Sequence, residues 1–314
     1  MTSVARNDLV ARARDGDKRA TARLLSVVEN DEPTAAEVLR QLYPETGRAR
    51  IIGVTGPPGG GKSTLVNRLA GAYRAQSPRV AVVAVDPSSP FSGGALLGDR
   101  IRMQDRFLDE GLFIRSMASR GHAGGLARTT ARVVNVLDAL GYGVVLLETV
   151  GVGQEEVEVI RVVDTVCLVT VPGLGDDIQA IKAGVLEIAD VIVVNKADRP
   201  GADETARDLA QMQTLGKLRT SWKPPILRTT AATGDGVPEL VGAIDRHGEW
   251  ARESGEYQRR RREAARAEVE ELLRDALARR LRERLGEDRV DRAVARVADR
   301  TTDPYAAVEE LLRG

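Results

Sequence analysis

The run Gly53-Val54-Thr55-Gly56-Pro57-Pro58-Gly59-Gly60-Gly61-Lys62-Ser63-Thr64 follows the apolar approach Arg50-Ile51-Ile52 and leads into a helical pattern of Leu65, Val66, Leu69, Ala70 and Tyr73. It satisfies G-x-x-x-x-G-K-[ST] with Gly56, Gly61, Lys62 and Ser63, in the strand–loop–helix setting the motif requires. Glycines permit backbone angles that turn successive N–H groups toward one point, and the start of the following helix adds positive potential there. In that arrangement Lys62 reaches the β- and γ-phosphates and the Ser63 hydroxyl ligates Mg²⁺. A Gly/Pro turn that merely happens to precede Lys-Ser would lack the flanking strand and helix. The segment reads as a nucleoside triphosphate site.

Outward from it, apolar runs alternate with helical stretches to about residue 250, with strands expected at 51–55, 80–85, 143–148, 164–171, 190–195 and 225–229. Continuous runs such as Val80-Ala81-Val82-Val83-Ala84-Val85 suit strands covered by helices on both faces. The fold class is therefore α/β, a P-loop domain with a mostly parallel sheet, whose ligands bind beyond the carboxyl ends of the strands. The polar motifs fall at those ends. Asp86 ends the second strand and opens a Pro/Ser/Gly-rich loop that reaches Asp99. Both acids suit a phosphate-bound metal; equally, Asp86 could be a turn former and Asp99 a helix N-cap. Glu148 ends Val144-Val145-Leu146-Leu147, where a nucleotide hydrolase places the acid that orients Mg²⁺, and Gly151 follows where a backbone N–H can approach the γ-phosphate. Strand 164–171 runs into a second polar hinge at 172–184, which the residues alone would allow to be a plain strand–helix connection.

Asn195-Lys196-Ala197-Asp198 supplies N-K-x-D at a further strand end. The Asp198 carboxylate offers two acceptors at the spacing of guanine N1–H and its exocyclic amine, a pair that adenine does not present. The Lys196 stem can lie over the base while Asn195 ties neighbouring loops. Downstream of a phosphate loop, this favours GTP over ATP. A last loop, Thr229-Thr230-Ala231-Ala232-Thr233-Gly234-Asp235-Gly236, brings backbone near Ala231 to the guanine carbonyl.

The flanks are helical. Residues 1–47 carry amphipathic patterns (Leu9, Val10, Ala13; Leu24, Leu25, Val28; Val38, Leu39, Leu42) and read as a helical cap on a nucleotide domain of residues 48–253. In 254–314 an apolar stripe of Val269, Leu272, Leu273, Ala276, Leu277 and Leu281 crosses a charged helix that Gly286 ends, and two shorter helices follow. Such a stripe needs a partner, either the chain's own core or a second copy; the second copy is the expectation. The run Arg259–Arg262 reads as a solvated face balanced by nearby glutamates. Lys+Arg and Asp+Glu both number 46, which gives no global electrostatic case for nucleic acid or membrane as a partner. The single cysteine, Cys167, lies in an apolar strand and excludes an internal disulfide framework. With no leader-like start and no apolar run near the ~18 residues of a membrane span, a cytoplasmic protein is expected.

On these motifs the chain resembles the methylmalonyl-CoA mutase-associated GTPases, also labelled arginine/ornithine transport ATPases, in the P-loop branch that includes metallochaperone GTPases. The resemblance is carried by 56–64, Val85-Asp86-Pro87-Ser88-Ser89-Pro90, 93–100, Glu148-Thr149-Val150-Gly151-Val152-Gly153-Gln154, Pro172-Gly173-Leu174-Gly175-Asp176-Asp177-Ile178-Gln179 and the guanine motif. Glu148 in place of the usual Asp is itself what this branch carries. The resemblance implies Mg²⁺ and hydrolysis served by Asp86, Asp99 and Glu148. It further implies an extra switch at 172–184 with Asp176, Gln179 and Lys182, and a homodimer through the C-terminal helices. The implied role is to gate adenosylcobalamin loading into an acyl-CoA mutase and to protect that enzyme. One departure is Ala231-Ala232, where Ser-Ala is more usual; a backbone donor tolerates it. The alternatives are a nickel- or cobalt-delivering GTPase, for which Cys167, His122 and His247 lack ligand spacing, and a small-molecule kinase or transport-coupled ATPase, against which N-K-x-D argues.

Overall fold

The computed structural model describes residues 3–30, 32–86, 108–118, 125–149, 162–173, 185–215 and 220–313. Seven strands, β1 (Arg50–Thr55), β2 (Val80–Asp86), β3 (Leu112–Ala118), β4 (Val144–Thr149), β5 (Thr165–Thr170), β6 (Val191–Asn195) and β7 (Ile226–Thr229), form one sheet in the order β3-β2-β4-β1-β5-β6-β7. Every pairing is parallel. β1 lies between β4 and β5, with Gly53 opposite Leu147 on one side and Val166 on the other. The chain therefore leaves β1 at a point where the strand order reverses, the place where open α/β sheets bind ligands.

The helices are α1 (Ser3–Arg14), α2 (Lys18–Asn30), α3 (Glu32–Leu42), α4 (Lys62–Arg74), α5 (Gly125–Ala139), α6 (Val185–Ile188), α7 (Ala202–Leu215), α8 (Val237–Glu253), α9 (Glu256–Leu285), α10 (Glu287–Ala298) and α11 (Pro304–Arg313). Successive strand residues point to opposite faces, and both faces are apolar. Ile51, Val83 and Leu147 meet Leu24, Leu25, Val28, Val38 and Leu137 from α2, α3 and α5. Ile52, Val54, Leu146 and Val169 meet Leu65, Leu69, Leu240 and Ile244 from α4 and α8. Leu209 of α7 covers Leu168, Ile192 and Val194. Each such leucine contributes roughly 1.5–3 kcal/mol on leaving water. The N-terminal helices thus share the core of the sheet. Their join to β1 is fixed by buried Asp138, whose carboxylate accepts the N–H groups of Gly47, Arg48 and Ala49 at 2.5, 3.2 and 2.8 Å.

The expected strands are all present, and the structure adds β3 at an edge. Arg115 and Ser116 interrupt the apolar run of that strand, so its sequence gives a weak signal. Tertiary pairing makes up for it: Arg115 Nε and Nη2 donate to Glu29 Oε1 and Oε2 at 2.5 and 2.7 Å, which ties the edge to α2.

The chain forms two compact units, 1–260 and 261–314. In the second, Gly286 separates α9 from α10, and Asp303 caps α11 by accepting the N–H groups of Tyr305 and Ala306 at 2.9 and 3.0 Å. On α9 the apolar stripe stays in solvent, with Val269 63%, Leu273 56% and Leu277 56% exposed. Within the basic run that precedes it, Arg259 and Arg262 lie exposed as expected, and Arg260 departs from the solvated face. Arg259 Nη2 and Arg260 Nε each bind Glu256 Oε1, at 2.6 and 2.8 Å, and Arg260 also clasps both oxygens of Asp190 at 2.8 Å. Among the described residues no helix is long and apolar enough to cross a membrane.

Candidate nucleotide site

The loop between β1 and α4 is shaped by close approaches that exclude side chains. Gly56 has φ +145°, and a Cβ there would lie 2.0 Å from the Val169 carbonyl oxygen of β5. Gly61 has φ +82°, and a Cβ there would lie 2.5 Å from Asn195 Nδ2. Only glycine fits these two positions, which are the two glycines the motif specifies. Between them Gly60 N–H turns back to Pro57 O at 3.2 Å.

Lys62 and Ser63 open α4 and are buried. Lys62 Nζ donates to Gly56 O and Pro57 O at 2.8 and 2.9 Å, so the ammonium lies inside the curve of the loop. Ser63 Oγ donates to Glu148 Oε1 at 2.7 Å; Glu148 is only 2% exposed and stands opposite Val54 in the register of β4 with β1. A hydroxyl and a carboxylate side by side are hard oxygen donors of the kind Mg²⁺ takes from a protein, the remainder of its shell coming from water and phosphate. The donor set fits that ion. Behind it, Thr149 Oγ1 donates to Thr55 Oγ1 at 2.9 Å and joins the ends of the two strands.

Asn195 ends β6 and is buried. Its Nδ2 donates to Gly60 O at 2.8 Å, while its Oδ1 accepts Thr229 Oγ1–H at 3.0 Å and Ala231 N–H at 3.1 Å. Lys196 adopts φ +57°, rare for a residue with a side chain, and its Nζ donates to Gly59 O at 2.8 Å. Asp198 is exposed on the turn beyond. Ala197 N–H to Thr229 O, 3.0 Å, holds that turn against the loop that carries Thr230, Ala231 and Ala232.

Direct hydrogen bonds therefore bring together Gly56, Pro57, Gly59, Gly60, Lys62, Ser63, Glu148, Asn195, Lys196 and Ala231 at one edge of the sheet. Pro58 and Gly61 lie within the same loop, and Thr64 is exposed on the first turn of α4. Asp86 occupies the end of β2, one residue past the Val85–Thr149 register pair; its side chain lies outside what the structure describes, as do Asp99, Gly151, Asp176, Gln179 and Lys182. The sequence reading missed Arg68 of α4. Its Nε donates to Ala231 O at 3.0 Å and its Nη2 to Ala232 O. The available signal was its place one turn after Thr64, on the same side of the helix.

A phosphate loop on the central strand, a buried Ser–Glu pair and an N-K-x-D turn hydrogen-bonded to that loop define a P-loop nucleotide-binding protein. A family model described as methylmalonyl Co-A mutase-associated GTPase MeaB matches residues 21–285. The chain is 46% identical over 310 residues to a putative GTPase of Pyrococcus abyssi, covering 98% of this chain and 96% of that one. It is 38% identical over 193 residues to the methylmalonic aciduria type A homolog, mitochondrial, of Mus musculus, covering 60% and 46%. A solved LAO/AO transport system kinase superposes with a TM-score of 0.73 at 26% identity, covering 100% of this chain and 98% of the other. The chain belongs to the methylmalonyl-CoA mutase-associated GTPase family, and it is a GTPase.

Proposed function

We propose that this GTPase is a chaperone that gates adenosylcobalamin loading into an acyl-CoA mutase of the methylmalonyl-CoA type and protects that enzyme. Family membership and the similarity to the mouse methylmalonic aciduria homolog support the client half of this reading. The observation that carries the nucleotide half is the Asn195 amide, which joins the phosphate loop to the loop assigned to the base.

In the proposed site Lys62 leaves its loop carbonyls for the β- and γ-phosphate oxygens, and Ser63 and Glu148 hold Mg²⁺, with Asp86 and Asp99 as the further acids. Mg²⁺ held there would supply charge neutralisation to the triphosphate. Water attacks the γ-phosphorus in line and the bond to the β-bridging oxygen breaks, giving GDP and phosphate. Lys62 and backbone N–H donors of 56–64 offset the charge that develops. Gly151 presents its N–H to the γ-phosphate, Lys196 flanks the base, and Asp198 with the 230–232 backbone reads its edge. Asp176, Gln179 and Lys182 belong to the segment that reports nucleotide state to the client. The exposed stripe on α9 supports a homodimer through 254–314, which light scattering of the intact chain reads directly.

The test is capture from lysate by the immobilised chain loaded with GDP or with a non-hydrolysable GTP analogue. Retention of a cobalamin-dependent mutase in a nucleotide-dependent way is the expected result. Equal retention in both states, or none, removes the client from the proposal.

A further inference from the structure

The loop 230–235 is almost fully hydrogen-bonded within itself and to β6. Thr230 N–H donates to Asp235 O at 2.9 Å, Thr233 N–H to Thr230 O at 3.1 Å and Gly234 N–H to Thr230 O at 2.8 Å. Ala231 N–H is taken by Asn195 Oδ1 at 3.1 Å, and Asp235 N–H lies 3.5 Å from Thr233 Oγ1. Among the described residues, Ala232 N–H is the one backbone donor of this loop left without a protein partner.

The orientation of that donor is set from outside the loop. Arg68 holds the carbonyls of both Ala231 and Ala232, the first at 3.0 Å. In a trans peptide the C=O and the next N–H point in opposite directions. Fixing Ala231 C=O on α4 therefore fixes Ala232 N–H on the far side of the loop from the guanidinium. The loop is also pinned to Asn195 and, through Ala197 N–H and Thr229 O, to the turn that carries Asp198.

We infer that Arg68 is a positioning residue for base recognition, aiming Ala232 N–H at the O6 carbonyl of guanine. This rests on the proposed placement of the base against Asp198 and 230–232. A fixed N–H meets an acceptor in guanine and an amino group in adenine, so the same donor attracts one base and rejects the other. Asp198 reads a different part of the ring, the N1–H and the exocyclic amine. The two readings are separated by comparing variants. Inosine nucleotides keep O6 and N1–H and lack the amine, whereas 2-aminopurine nucleotides keep the amine and lack O6 together with N1–H. A change at Arg68 that acts through O6 therefore leaves binding of the 2-aminopurine nucleotides unaltered.

The experiment measures equilibrium binding of GTP, ITP, 2-aminopurine riboside triphosphate and Mg-tripolyphosphate to the full chain, to Arg68→Ala and to Arg68→Lys, with thermal unfolding of each. Arg68→Ala weakens GTP and ITP alike by about 10-fold, the scale of one aligned hydrogen bond. It leaves the GTP-to-ITP ratio and tripolyphosphate binding unchanged and shrinks the preference for GTP over the 2-aminopurine analogue. Arg68→Lys, with one short donor group in place of the fork, falls between. Equal loss for tripolyphosphate and GTP would overturn the inference by making Arg68 a phosphate contact or a general support. An unchanged GTP preference over 2-aminopurine in a stably folded Arg68→Ala would overturn it too. If the unaltered chain shows no preference for GTP over the 2-aminopurine analogue, the base placement itself fails, and the inference with it.

Discussion

At the carboxyl ends of β1, β6 and β7 most groups in contact are backbone: Gly59 O, Gly60 O, Ala231 N–H and the Ala231 carbonyl, each held by one neutral or cationic side chain. At the amino ends of β5 and β6 the contacts centre on two buried side chains, Asp190 and His247. Asp190 accepts two bonds from Arg260 at 2.8 Å and Val166 N–H at 2.9 Å, and it lies 3.2 Å from His247 Nε2. His247 Nδ1 in turn meets Thr165 Oγ1 at 2.8 Å, and Trp222 and Trp250 close the ring at centroid distances of 5.1 and 5.6 Å. The contrast follows from what each end does. A ligand edge keeps donors available and uses exposed or replaceable bonds worth about 1–3 kcal/mol, such as those of the Lys62 ammonium to its loop carbonyls, which phosphates can replace. The opposite edge has nothing to exchange. There, desolvated charges lock strands to helices, at a large cost if one partner is removed.

Four results would break or sharpen that contrast, from the largest effect to the smallest. Lys62→Ala should lower GTP turnover by about 10³-fold, the loss expected for one main charge-stabilising donor, with little change in thermal midpoint; phosphate release and calorimetry read the two separately. Asp190→Asn should do the reverse, costing about 3 kcal/mol by removing the buried carboxylate that takes two bonds from Arg260, which keeps Glu256, while turnover per folded molecule stays near normal. Denaturant unfolding beside an activity assay checks it, and loss of activity at full stability would erase the distinction between the edges. Asp198→Asn should weaken GTP about 30-fold, the scale of a charge-assisted hydrogen bond, and shift preference toward xanthine nucleotides, as competition binding would report.

The smallest effect is in pH. Burial alone would raise Asp190, but the hydrogen bonds from Arg260 and the adjacent His247 ring outweigh it and hold the carboxyl below its usual range. Its stabilising contribution is therefore complete above the unfolded value near ~3.9 and is lost as pH falls through the lower folded value. The stability gap between the unaltered chain and Asp190→Asn should stay constant from neutral pH down to about 5 and narrow below about 4. A gap that widens in acid would give the wrong sign.

The sheet and the phosphate edge were legible because their signals are local: unbroken Val/Ile/Leu runs, Gly56 and Gly61 at fixed spacing, and Asn195 to Asp198 within four residues. Features made of distant partners were not. Arg115 weakens β3 as a sequence pattern, and its partners on α2, Glu29 with Ser26 and the Ala22 carbonyl, explain it. Arg260 reads as one more surface arginine until Asp190 is beside it. Arg68 binds carbonyl oxygens, which have no residue signature at all. His247, dismissed as a metal ligand for want of neighbouring ligands, is a packed core histidine.

The carboxamide of Asn195 has each end engaged in a different loop, its nitrogen on Gly60 and its oxygen on Thr229 and Ala231. In the proposed site, affinity for the triphosphate tail and choice of base are therefore coupled through this position, because an apolar replacement unfastens both loops at once. An aspartate of the same shape would still accept from Ala231 but would face the Gly60 oxygen with repulsion. A carboxamide, with a donor at one end and an acceptor at the other, serves both loops.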